Sequence, residues 1–190
     1  MRTVFLLLLA VSLFTGCALS PQTITINPDI AVKKTGIKKE TTIYLDVVDK
    51  RSSPVIGERG GVYRDTSTIT TAQDMTDKLH DSLTRAMQDL GYQVVTDSAT
   101  ARARLTVNIT DISYQAKNEN LLTKIITKVE IQGVIIKNRK EFTGTYTATR
   151  KKDFVKTPNE LENEDIVNDA LALVLKNMLE DPDFIQFIDE

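Results

Sequence analysis

Apolar and polar residues change their spacing several times along this chain, and each spacing predicts a different element. Positions 4–14 are apolar apart from Ser12, with Arg2 ahead of them and Thr15, Gly16 and Cys17 behind. This run is too short to cross a bilayer, which takes about 20 helical residues, so it reads as a secretory signal. No period dominates over residues 18–40, where Pro21, Pro28 and Gly36 punctuate a lysine-rich stretch. That stretch reads as a tether, able to reach on the order of 75 Å when fully extended. The alternation over residues 23–32 offers another reading of one piece of it, a short strand that Pro28 confines to a sheet edge.

A two-residue period begins at residue 42. Ile43, Leu45 and Val47 share one face of a strand over residues 42–49. Residues 50–70, with Pro54, Gly57, Gly60 and Gly61, read as a polar loop. Ala72, Met75, Leu79, Leu83, Ala86, Met87 and Leu90 then recur at three- and four-residue spacing, which predicts a helix. Thr71 suits its N-cap with Asp74 three residues on, and Gly91 suits its C-cap. A second strand follows at Tyr92–Val95, then three more in meander order.

In the first of these, Leu105, Val107 and Ile109 face inward, and a shift of phase predicts a bulge at Thr110–Asp111. In the next, Leu121, Ile125, Val129, Ile131 and Ile135 alternate with Lys124, Lys128, Glu130 and Gln132. A tight turn at Asn138–Arg139 leads to the last, with Phe142, Tyr146 and Ala148 inward and Thr143, Thr145, Thr147 and Thr149 outward. Thr157, Pro158 and Glu160 then mark a helix start, followed by an apolar stripe from Ile166 to Met178. Asp181–Pro182 stops that helix, and residues 184–188 form a short amphipathic turn. The expected fold class is α+β: a mostly antiparallel five-stranded sheet in the order β-α-β-β-β-β-α, with two helices packed on one face. The expected division is a signal peptide at 1–16, an anchor and tether at 17–40, and a single domain at 41–190.

Composition narrows the chemistry. Cys17 is the only cysteine and His80 the only histidine in the chain. Sulfur-based metal sites and Ser-His-Asp or Cys-His catalysis therefore lack raw material, and no metal, catalytic residue or soluble cofactor is expected. The absence of tryptophan speaks against a stacking surface for nucleic acid. Charge is uneven: residues 101–156 hold twelve Lys or Arg against five acids, and residues 157–190 hold one Lys against ten acids. Four features are weighed and read as structural or solvated. His80 lies at the edge of a helix stripe. Gly57–Gly61 lacks the Lys-Ser/Thr of a phosphate loop. Asp46, Asp49 and Asp65 have no defined spacing for acid–base work. Arg150, Lys151 and Lys152 end a strand.

The signal ends in Phe14-Thr15-Gly16-Cys17, which resembles the lipobox of bacterial lipoproteins. That resemblance implies that Cys17 becomes the N-terminus and carries a diacylglyceryl group and an N-acyl chain. Further residues are similar in order and spacing to the YajG family of uncharacterised bacterial lipoproteins. They are Pro21, Thr23 and Ile24, the strand running into Asp49-Lys50-Arg51, the helix ending in Leu90–Val94, and the closing Asp183-Phe184-Ile185. Phe14 and the Gly57–Gly61 loop depart from the family pattern. The resemblance implies a lipid-anchored envelope protein and, from Ala18 after the cysteine, the periplasmic face of the outer membrane of a Gram-negative bacterium.

The function expected from these residues is a non-enzymatic binding or assembly module with an envelope protein as partner. The contacting residues would be Lys124, Lys128, Glu130, Thr143, Thr145 and Thr147 on the open sheet face, and Arg59 in the neighbouring loop. One alternative is a carrier of an apolar envelope ligand, held near Met75, Met87, Ile131 and Phe142. Another is a cell-wall hydrolase using acids of the 46–65 region.

Overall fold

The computed structural model describes residues 19–60, 66–119 and 121–190. The signal run, Cys17 and Asp65 lie outside them. Eight strands form one sheet: β1 (Gln22–Ile24), β2 (Thr42–Asp49), β3 (Val55–Glu58), β4 (Thr68–Thr71), β5 (Gln93–Val95), β6 (Ala103–Glu119), β7 (Leu122–Lys137) and β8 (Lys140–Phe154). Three helices among the described residues complete it: α1 (Met75–Asp89), α2 (Glu160–Leu179) and α3 (Pro182–Asp189).

The α+β class stands, but the sheet is mixed and larger than a five-stranded antiparallel one. The seventeen-residue β6 is its spine. β7 runs antiparallel along one whole side of β6, and β8 runs antiparallel to β7. Two parallel strands share the other side: β2 beside the first half of β6 and β3 beside the second. β5 is parallel to β2, β4 antiparallel to β3, and β1 parallel to β4. The reason lies in the connections. A helix between β2 and β5 returns the chain to its starting end, so the next strand must run the same way. Alternation within a strand carries no information about that direction.

Residues 50–70, read as loop, contain β3 and the first three residues of β4. Gly57 permits this, because a Cβ there would lie 1.9 Å from the Tyr114 carbonyl oxygen. The predicted bulge is present as a register shift between Ile109 and Asp111. The predicted turn has Asn138 at φ 51° and Arg139 at φ 62°, the twist that suits a two-residue hairpin. Leu121 does not face the core; it is 87% exposed at the β6–β7 tip.

Helix boundaries moved by a few residues for identifiable causes. α1 begins at Met75, since Thr71 is taken up by β4 and its hydroxyl accepts from Arg51 Nη2 at 2.9 Å. It ends as expected, with Gly91 N–H donating to Gln88 O and Tyr92 N–H to Met87 O. α2 is capped by Asn159, whose side chain accepts from the Glu162 amide while Glu162 reaches back to the Asn159 amide. The closing turn is a full eight-residue helix with Asp181 as N-cap and Pro182 in its first turn.

One core unites these elements. α1 packs on β2 and β5, and α2 packs on β7, β8 and β1, all against the sheet face that carries Ile43, Leu105, Ile131 and Ile135. Leu79, Leu83 and Met87 of α1 and Leu171, Leu175 and Met178 of α2 are wholly buried. Each such side chain contributes about 1.5–3 kcal/mol of burial free energy. The packing is close: a Cβ on Gly133 would meet Met178 Sδ at 2.8 Å.

The long free tether is corrected. Ile24, Ile26 and Ile30 are buried in the core, and the edge-strand reading holds for Gln22–Ile24 alone. Past β1 the backbone finds α2 side chains instead of a strand. Thr25 N–H donates to Glu164 Oε1 at 2.6 Å, and Asn27 N–H to Asn168 Oδ1 at 2.8 Å.

Candidate functional site

The pleat sorts the side chains of β6, β7 and β8 onto two faces. The face away from the helices presents registered rows: Asn108, Gln132 and Thr145; Asp111, Glu130 and Thr147; Ser113, Lys128 and Thr149. Thr143, Thr145, Thr147 and Thr149 are all exposed there, so these threonines, with Lys124, Lys128 and Glu130, form one surface as the alternation predicted.

Charges on this surface are paired locally. Lys128 Nζ lies 3.6 Å from Glu130 Oε2, and Thr110 Oγ1 donates to the Glu130 carbonyl at 3.0 Å. Lys124 bonds Glu119, which lowers the Glu119 pKa and raises that of Lys124; both are solvent-exposed, so the pair adds little stability. Asn108 Nδ2 donates to Gln132 Oε1 at 3.3 Å.

The same strand supplies a second feature. β8 pairs with β7 alone, so among the described residues its other side carries no strand. A two-residue turn closes on the hydrogen-bonded Lys137–Lys140 pair, and hydrogen-bonded and non-bonded pairs then alternate. Thr143, Thr145, Thr147 and Thr149 therefore direct their backbone N–H and C=O groups outward from the sheet. Residues 142–149 carry no charge. Natural edge strands are commonly guarded by charge, proline or a covering element, and this stretch has none of the first two. Sequence alone hid this feature, because which strand is outermost depends on the whole sheet order.

Arg59 is not on this surface. Its Nη1 donates to the Ser20 carbonyl at 3.1 Å and its Nη2 to the Pro158 carbonyl at 3.2 Å, so it clamps the incoming chain to the start of α2. Asp46 and Asp49 do not converge either. They fall on opposite faces of β2, and Asp49 is held by Arg51 at 2.8 and 2.9 Å. That hydrogen bond holds the Asp49 carboxyl below the usual carboxylate range. His80 is partly exposed on α1, 3.9 Å from Asp81.

Of the expected lining of an apolar ligand site, Met75, Met87 and Ile131 are buried together in the core, and Phe142 is half-buried against Phe184 and Phe187. Four of the clefts among the described residues open elsewhere. The one of about 720 Å³ is lined by Lys39, Arg102, Lys137, Asp189 and other mostly polar residues. The other three lie around Lys140 and around the C-terminal end of α1, away from the helix–sheet core. Among the described residues no cluster of three or more His, Cys, Asp or Glu has metal-binding geometry, and no helix is long and apolar enough to span a membrane.

Comparison with known proteins adds the following. A family model described as uncharacterized lipoprotein matches residues 28–189. No curated protein matches the chain. Among solved structures, protein XCC0632 from Xanthomonas campestris is similar in fold, with 18% identity over 85% of this chain and 91% of that one, at a TM-score of 0.51. A minor lipoprotein from Acinetobacter baumannii shares 13% identity over 80% and 90% of the two chains, at a TM-score of 0.42.

Proposed function

The chain belongs to this family of uncharacterized lipoproteins, and from that premise we propose that it is a non-enzymatic assembly module of the cell envelope. It is of the YajG type, lipidated at Cys17 and held on the periplasmic face of the outer membrane. The observation that carries this reading is the uncharged outer edge of β8, whose exposed threonines sit beside it on the open face. A partner strand added there gains main-chain hydrogen bonds from the edge and side-chain contacts from Thr143, Thr145 and Thr147. Lys128 and Glu130, one strand inward, supply charge for register.

A variant that blocks the edge without opening the core tests this. Thr145→Pro removes an outward N–H and leaves the β7 ladder its donors. The expected result is a folded protein, with a urea midpoint close to wild type, that no longer co-purifies with the envelope protein wild type retains. Retention of that protein by folded Thr145→Pro would refute the edge as the docking element.

A further inference from the structure

The anchor end of the domain carries an apolar tip and a cationic rim. Gln22 pairs with Ile69, Ile69 with Gly57, and Gly57 with Tyr114, so Gln22 and Tyr114 lie in one row of the sheet. Through the same pairings β1 runs antiparallel to β6, and the residues before Gln22 head toward the β6–β7 tip. Cys17 is five residues back from Gln22, and Glu119 is five residues on from Tyr114. At about 3.3 Å per residue both spans are roughly 17 Å. A fully extended chain just brings Cys17 level with the hairpin tip, and any shorter path leaves the tip beyond it.

What sits at that level is unusual for a solvated strand end. Leu121 is 87% exposed and Leu122 41% exposed at the tip. Thr123 and Phe154 form the last row of β7 and β8, and Val155 just past it is 85% exposed. Lys117 and Lys124 share the next row below the tip, with Lys152 and Lys151 in the two rows below that. Across residues 115–124 and 150–156 six Lys or Arg stand against two acids, Glu119 and Asp153. Exposed apolar side chains ringed by cations are the composition that enters an anionic lipid–water interface.

We propose that this end of the domain docks on the phospholipid bilayer that holds its anchor, with Leu121, Leu122 and Val155 in the headgroup region and the lysines against anionic phosphates. The proposal rests on lipidation at Cys17. It gives Arg150, Lys151 and Lys152 a role beyond that of a solvated strand end. It also orients the molecule: the spine β6 stands on the membrane, and the free edge of β8 rises from it into the periplasm.

The test uses the full lipidated protein in vesicles of phosphatidylethanolamine and phosphatidylglycerol. With the Cys17 sulfur held in its thioether to the diacylglyceryl group, Leu121→Cys provides the sole thiol for an environment-sensitive fluorophore, and Val155→Cys provides a second such variant. Arg139→Cys, at the opposite end of β7, is the control. The expected result is quenching of the 121 and 155 labels by a lipid-borne quencher several-fold above that at 139, reduced when Lys151 and Lys152 are both changed to Glu. If the protein co-floats with vesicles but the 121 and 155 labels are as water-exposed as the one at 139, docking is overturned and anchoring stands. Failure to co-float overturns both.

Discussion

Asn163 Nδ2 donates to Gln22 Oε1 at 2.7 Å, joining positions 141 residues apart, while Asn163 Oδ1 accepts from Tyr114 Oη at 2.6 Å. Asn163 is wholly buried, so this short chain of hydrogen bonds fastens β1 to both α2 and the spine of the sheet.

Asn163→Ala leaves the Tyr114 hydroxyl and the Gln22 amide buried without a partner. Each such group costs about 1–3 kcal/mol. Urea unfolding should show that loss, and native-state hydrogen exchange should show faster exchange at Ile24 and Ile26 than in wild type, with β6 amides much less affected. Equal acceleration throughout the chain would mean that Asn163 supports the core in general and not the N-terminal segment in particular.

Gly91 and Gly36 both have positive φ, 90° and 63°, but their surroundings differ. A Cβ on Gly91 would lie 2.0 Å from the Ile37 carbonyl oxygen, whereas nothing lies within 4 Å of one on Gly36. Gly36→Ala should cost only the left-handed backbone penalty, about 1–2 kcal/mol. Gly91→Ala should cost clearly more, because the end of α1 must also move away from the 35–39 segment. Matched urea midpoints for the two variants would contradict this.

The Asp49–Arg51 pair predicts an acid-dependent stability. Arg51 lowers the Asp49 pKa in the folded protein, so the carboxylate contributes stability above its unfolded value of about 4, and that contribution is lost as pH falls through the folded value. Wild type should therefore exceed Asp49→Asn in stability at pH 7. The gap should narrow below pH 4 as the wild-type carboxylate takes up its proton. A gap of constant size across that range would show that charge is not the cause.

Much of this was legible in the sequence, and what was not has physical causes. The threonine face of β8 was legible because a two-residue period sorts side chains by face whatever the neighbours are. Strand direction was not, since β2 and β5 read alike whether parallel or antiparallel. Ile24, Ile26 and Ile30 alternate visibly, yet the prolines and lysines around them also fit a solvated tether. Leu121 kept the parity of the inward residues, but parity says nothing about where a hairpin outruns its helices. Arg59 and Asn163 bear no local signal at all, because their partners Ser20, Pro158, Gln22 and Tyr114 arrive only with the fold.

The measurement that bears most directly on the assembly-module account is photo-crosslinking in living cells from Thr145 on the β8 edge, with His80 on α1 as the control position. The account predicts one dominant envelope protein captured from Thr145 and absent from His80. Capture of the same products from both positions, or of lipid alone from Thr145, would contradict it.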